Sequence, residues 1–215
     1  VSRSKNTEER DHLLLAMLPH VLFDGWSEKA LLAGYEDLGG KSPDAQLLFP
    51  GGLREAAKHF GDYMDRQMQA ELAKLDLEKM SMRERIAMGI RVRLELLTPH
   101  REAVRRLLAF LALPGNHFTG MQITSRTVDT IWHAIGDTST DFSYYSKRAL
   151  LAGVYGSTIL YWLSDNSEEF LETHDFLDRR IAGVLKIPNI QNKIKKRLKR
   201  LTAPLSRIQR PAFRL

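Results

Sequence analysis

Apolar residues recur every three or four positions along most of the chain, and alternating β-branched runs are missing. Leu13, Leu14, Met17, Leu18 and Val21 mark a first helix that ends near Asp24-Gly25. Ser27 suits the N-cap of a second, which carries Ala30, Leu31 and Leu38 and stops at Gly39-Gly40. Ser42-Pro43-Asp44 opens a short third helix up to Phe49, and Pro50-Gly51-Gly52 breaks it. A long fourth follows, with Leu53, Ala57, Phe60, Tyr63 or Met64, and Met68 toward the core. After Ser81 a helix covers Arg83 to Leu97 and ends before Pro99. Arg101 to Ala112 is the next, stopped by Leu113-Pro114-Gly115-Asn116, and Thr119 to Ala134 follows. Phe142 to Trp162 is apolar enough to read as a buried central helix. Glu168 to Leu185 closes the body. The pattern predicts an all-α domain of about nine helices, followed by a terminal one.

The terminal helix has its own pattern. Ile187, Ile190, Ile194, Leu198, Leu201, Leu205 and Ile208 form one apolar stripe on a helix. Lys193, Lys195, Lys196, Arg197, Lys199, Arg200 and Arg207 lie between them. Pro188 suits a helix start, and Pro204 and Pro211 kink or end it. A basic amphipathic helix of this kind fits the headgroup layer of an anionic bilayer. Each basic side chain near such a surface contributes about 1 kcal/mol, and each buried Ile or Leu at most about 1.5–3 kcal/mol. The membrane-binding residues expected are Ile190, Ile194, Lys195, Lys196, Leu198, Lys199, Leu201 and Leu205. A solvated basic tail, or a helix packed on the body of a partner subunit, fits the same composition.

Charge sharpens this picture. The chain of 215 residues carries +6, with an isoelectric point near 9.6. Residues 186–215 hold ten Lys or Arg and no acidic residue, so residues 1–185 carry 22 basic and 26 acidic side chains. The body is acidic and the basic character belongs to the tail alone. No aromatic residue interleaves with the tail's basic ones before Phe213, so stacking platforms for nucleic acid are absent from it. The chain has no cysteine, which removes disulfide, zinc–thiolate and thiol chemistry. No apolar run is long enough to span a bilayer, and Val1 to Lys5 lack the apolar segment of a secretory signal. Three units are expected: 1–52, 53–185 and the tail 186–215.

The first unit has the layout of a helix-turn-helix. Trp26-Ser27-Glu28-Lys29-Ala30-Leu31 through Leu48-Phe49-Pro50-Gly51-Gly52 resembles the N-terminal module of TetR-type regulators. In such a module the recognition helix, here Ser42 to Phe49, enters the major groove. That helix contains Asp44 and no Arg or Lys, and only Gln46 suits a base edge. The fold expected is therefore a TetR-regulator-like helical bundle without DNA binding.

The stretch from Val128 to Phe142 reads Val-Asp-Thr-Ile-Trp-His-Ala-Ile-Gly-Asp-Thr-Ser-Thr-Asp-Phe and continues Ser143-Tyr144-Tyr145-Ser146-Lys147-Arg148-Ala149-Leu150-Leu151-Ala152. This resembles the signature of the coenzyme Q biosynthesis protein nine family, with a likeness running from about Arg10 to Leu185 and a basic terminal helix in the matching place. The resemblance implies a non-enzymatic accessory protein of ubiquinone biosynthesis with a TetR-like fold. It implies an apolar pocket for isoprenoid lipids or quinone intermediates, a terminal helix used at a membrane, and presentation of the substrate to the di-iron demethoxyubiquinone hydroxylase. It places the partner surface on Asp129, His133, Tyr144, Tyr145 and Arg148, with Tyr144-Tyr145 standing where the family has a Trp-Tyr pair. Eukaryotic members sit at the matrix side of the mitochondrial inner membrane, and bacterial ones at the cytoplasmic face of the inner membrane.

From the residues themselves, an isoprenoid tail needs a long apolar cavity with few polar groups. On the helices from Arg83 to Trp162, Leu94, Leu97, Leu107, Leu108, Phe110 and Leu111 are candidate walls. So are Met121, Ile131, Leu151, Tyr155, Ile159 and Trp162. Each of these suits an ordinary core equally well. Tyr144 and Tyr145, with Phe142 and Trp132, suit an aromatic interface anchor, or one tyrosine packs inward. His133 with Asp137, and Glu55 with His59, have the i, i+4 spacing of half a metal site. Neither pair has a completing set, so a structural hydrogen bond or ion pair is expected and no cofactor or metal. Ser139, Thr140 and Asp141 suit a helix cap before Phe142. No nucleophile elbow, dinucleotide fingerprint or P-loop is present.

The expected function is that of a peripheral-membrane lipid carrier, not an enzyme, homodimeric through Phe142 to Trp162 and Glu168 to Leu185. The alternative is a ligand-responsive TetR-like transcription regulator, which predicts DNA retention with a salt-dependent slope.

Overall fold

A computed structural model describes residues 2–40, 45, 47–136 and 142–184. Its helices are α1 Ser2–Asp24, α2 Glu28–Asp37, α3 Gly52–Leu72, α4 Met82–Leu97, α5 Arg101–Ala112, α6 His117–Ala134 and α7 Phe142–Trp162, with α8 over 171–184. No strand occurs among the described residues. Ala45, Leu47 and Leu48 are helical, where the third helix of the N-terminal module is expected. Residues 41–44 and 46 lie outside the described residues, as does the tail with Ile190, Ile194, Lys195, Lys196, Leu198, Lys199, Leu201 and Leu205.

Local chemistry sets the boundaries. Ser27 accepts a hydrogen bond from the Ala30 amide at 3.2 Å and starts α2. Ser81 and Glu84 form a reciprocal capping box at the start of α4. Gly25 and Gly136, at φ 69° and 85°, take the left-handed conformation that stops α1 and α6.

One continuous core runs from Leu13 on α1 to Ile181 on α8. α1 lies on α2, α3 and α5, while α6 packs against α3, α4, α5 and α7. Two glycines allow the close approaches of α6. A Cβ on Gly61 of α3 would come within 2.8 Å of Ile123, and one on Gly89 of α4 within 2.9 Å of Ile131. α8 is tied to α4 by Arg91 on Asp178 at 2.9 Å and by Leu177 and Ile181 beneath.

One expectation needs correction. α7 is not buried all round. Leu151, Val154, Tyr155, Thr158, Ile159 and Trp162 face the core, but Tyr145, Ala149, Gly153 and Leu160 are exposed. Apolar content fills the inner face and also continues onto the outer one, so composition alone overstated the burial.

Candidate functional site

Five helices enclose an apolar cavity of about 280 Å³. α5 contributes Val104, Leu107, Leu108 and Leu111, which its helical period places on one face. Leu97 comes from α4, Phe60 from α3, Ile123 from α6, and Tyr155 and Ile159 from α7. Gly120 and Gly156 leave room that side chains would fill, and nothing lies within 4 Å of a Cβ built on Gly156. The cavity opens toward Leu160, which is 64% exposed, and half-buried Leu108.

The inner end of the cavity is polar. Arg93 and Tyr155 line it, and Asp65 and Thr127 stand behind them. Arg93 is 2% exposed and Asp65 4%. Nη1 of Arg93 lies 2.9 Å from Oδ1 of Asp65, out of line for a hydrogen bond. Nη2 donates to the Gly61 carbonyl at 3.3 Å, and the Thr127 hydroxyl donates to Asp65 Oδ1 at 2.9 Å. Burial pushes the Asp65 carboxyl above its ordinary value, against the opposing pull of Arg93 and Thr127. Burial likewise pushes the Tyr155 phenol up, against Arg93 beside it.

Of the candidate wall residues, Leu97, Leu107, Leu108, Leu111, Tyr155 and Ile159 meet in this cavity. Leu151 lines a second, of about 200 Å³, with Ile86, Trp132, Val154, Ile181 and Val184. Leu94 and Trp162 border a third beside the 168–170 turn. Ile131 is fully buried beneath Gly89, and Phe110 is half-buried against the core. Met121 is 56% exposed and lies outside all three, on a shallow groove between α6 and α7. Sequence reasoning missed Phe60, Arg93, Val104, Ile123 and the glycines as walls of this cavity. The signal for Arg93 was there: it interrupts the apolar stripe of Ile86, Ile90, Leu94 and Leu97.

On the signature face, Arg148 of α7 is ion-paired to Asp129 of α6. His133 donates from Nδ1 to the Asp129 carbonyl at 2.8 Å. Tyr145 is 74% exposed, and Lys147 lies over the Trp132 ring at 5.6 Å. The Tyr144 side chain and residues 137–141 lie outside the described residues, so the His133–Asp137 spacing does too. Glu55 and His59 go to different partners, Arg10 and Asp11, at 2.7 and 2.6 Å. A Glu-x-x-His spacing exists at Glu9 and His12, both on the exposed side of α1. Among the described residues no three His, Asp or Glu side chains gather as a metal site, and no helix is long and apolar enough to cross a membrane.

The fold is that of TetR-type regulators. It matches the TetR transcriptional regulator from Nitrosomonas europaea ATCC 19718 with a TM-score of 0.64 at 19% identity, over 83% of this chain and 98% of that one. The COQ9 family model matches residues 118–188, which hold the signature. The chain is 32% identical to the mitochondrial ubiquinone biosynthesis protein COQ9-B of Xenopus laevis over 90% of its own length and 69% of the relative's. It is 31% identical to mitochondrial COQ9 of Rattus norvegicus and 30% to that of Homo sapiens, over 89% of this chain in each case. It spans 64% and 62% of the length of those two mammalian relatives. The chain belongs to the COQ9 family.

Proposed function

We propose that this protein is a lipid-binding accessory protein of ubiquinone biosynthesis that works by holding its ligand rather than by catalysis. The observation that carries the reading is the apolar cavity enclosed by α3 to α7. In this reading it holds an isoprenoid quinone intermediate, shielding from water a hydrocarbon chain whose exposure is costly. The names of the relatives support the pathway. The amphipathic tail docks on a membrane surface, which places the cavity within reach of membrane-dissolved substrate.

The signature face is the docking surface for the demethoxyubiquinone hydroxylase, through Asp129, His133, Tyr144, Tyr145 and Arg148. Exposed Tyr145 beside an arginine is a composition favoured for interface anchors. The open apolar face of α7 suits a homodimer formed with α8. In a eukaryotic cell this protein belongs at the matrix side of the mitochondrial inner membrane, in keeping with its relatives' names, and in a bacterium at the cytoplasmic face of the inner membrane.

The test is organic extraction of the protein purified without detergent, with mass spectrometry of the extract. An isoprenoid quinone or a precursor of one is expected. An extract free of isoprenoids, from protein with its full helical signal, would overturn the reading.

A further inference from the structure

The smaller apolar groove, of about 200 Å³, lies where α8 ends. Ile86 of α4, Trp132 of α6, Leu150 and Val154 of α7 and Val184 of α8 wall it, with Met82 at its edge. Leu150 and Val184 are only half-buried, and Met82 is 44% exposed. Leaving such apolar walls in water is unfavourable. The charged group on the wall is Lys147, which lies over the Trp132 ring at 5.6 Å.

Val184 is both a wall of the groove and the last described residue before the tail. Ile187 follows it by three positions, so even a fully extended chain holds Ile187 within about 11 Å of Val184. This tether gives the side chains that follow Val184 a high effective concentration at the groove. The tail also changes character along its length. Residues 185–192 read Leu-Lys-Ile-Pro-Asn-Ile-Gln-Asn and carry one charge, whereas nine of the ten basic residues lie at or beyond Lys193. Lys147 on the wall, and exposed Arg83 next to Met82, repel that basic run and leave the nearly neutral lead unopposed.

We infer that the groove is the seat of the tail's own lead: Leu185 and Ile187 fill it, and the basic run leaves the body from there. The inference rests on the reading of the tail as the membrane element, and adds the place where that element is joined to the body. Trp132 and Lys147 stand in the same stretch of sequence as Asp129, His133, Tyr145 and Arg148. A lead held beside Trp132 therefore brings the membrane-binding run out next to the proposed partner face, so bilayer and hydroxylase meet the protein at one corner.

The chain has no cysteine, so introduced pairs report proximity without background. In the full chain Leu150→Cys is combined with Ile187→Cys, Ile190→Cys or Leu205→Cys, oxidised with copper phenanthroline and mapped by mass spectrometry. A disulfide needs Cα atoms within about 7 Å. A bond within one chain is expected to form faster at position 187 or 190 than at 205. Products joining two chains would give the groove to the tail of a second copy, and equal rates at all three positions would leave it to a lipid chain or to water; either result overturns the seat. A second measurement is independent of disulfide geometry. Leu185→Asp with Ile187→Asp should unseat the lead and raise acrylamide quenching of tryptophan fluorescence, and adding Trp132→Phe should abolish the rise. Unchanged quenching would overturn the seat as well. Co-sedimentation of the unaltered chain with anionic liposomes reads the membrane role separately: a chain that sediments but forms no preferred bond at 187 or 190 loses the seat and keeps that role, and one that forms the bond but does not sediment loses the role alone.

Discussion

Glu169 and Phe170 join α7 to α8 with φ of 49° and 57°, in the left-handed region without help from glycine. Each such residue costs about 1–2 kcal/mol. The turn is held from outside: the Phe170 ring meets Trp162 at 6.0 Å and lies under the Arg101 guanidinium at 5.1 Å. Arg101 in turn donates to the Trp162 and Asp165 carbonyls. Glu169 itself makes no such contribution to the core. Glu169→Gly relieves the strain and gives back about half in chain entropy, so the thermal midpoint should rise by about 2 °C. A scanning calorimeter reads this directly. A lower midpoint would mean that the Glu169 side chain stabilises the turn.

At the scale of elements, α1 and α3 are joined by charge as well as by apolar packing. His59 of α3 meets Asp11 of α1 at 2.6 Å, Asp11 also holds Arg66, and Arg10 pairs with Glu55. Burial, then Arg10, hold His59 below its ordinary value of 6.5, and the bond to Asp11 only partly offsets them. Burial holds His100 down as well. Through His59 and His100 the unfolded chain therefore takes up protons that the folded one resists once the pH falls below 6.5, and these two groups cost stability in that direction, while the raised Asp62 and Asp65 act with the opposite sign. The histidine part should lower urea midpoints between about pH 7 and pH 5, and His59→Gln should remove its share of that fall. A slope unchanged by that substitution would mean His59 takes up its proton equally in both states.

Helix ends were the most legible part of the fold. Ser81 before a Glu three residues on, Gly39 and Gly136 after apolar runs, and Pro114-Gly115 are local signals with local causes, and they place the boundaries within a few residues. Half of the candidate walls meet in one cavity because the 3.6-residue period already sorts the α5 face. The other half went elsewhere. A leucine facing a void, a neighbour or a partner has the same neighbours in sequence, as Ile131 and Met121 illustrate. Only an arginine inside an apolar stripe, Arg93, broke that degeneracy, and it marks the end of the cavity that differs.

For the whole molecule, charge is divided between body and tail. The acidic body and the tail of ten basic residues favour one orientation at an anionic surface, with the tail toward the lipid and the body repelled from it. Replacing Ile194 and Leu198 with Glu should abolish co-sedimentation with anionic liposomes and leave the far-ultraviolet circular dichroism of the body intact. Retained binding would remove the tail from the membrane role. Raising the salt should weaken binding of the unaltered chain, since exposed charges are screened.

If the cavity serves the proposed lipid-binding role, its volume of about 280 Å³ limits how much of a chain its walls can grip. Isoprene units beyond the mouth then add no contacts with the wall. Affinity stops growing with chain length, so one sequence can serve pools whose tails differ in length.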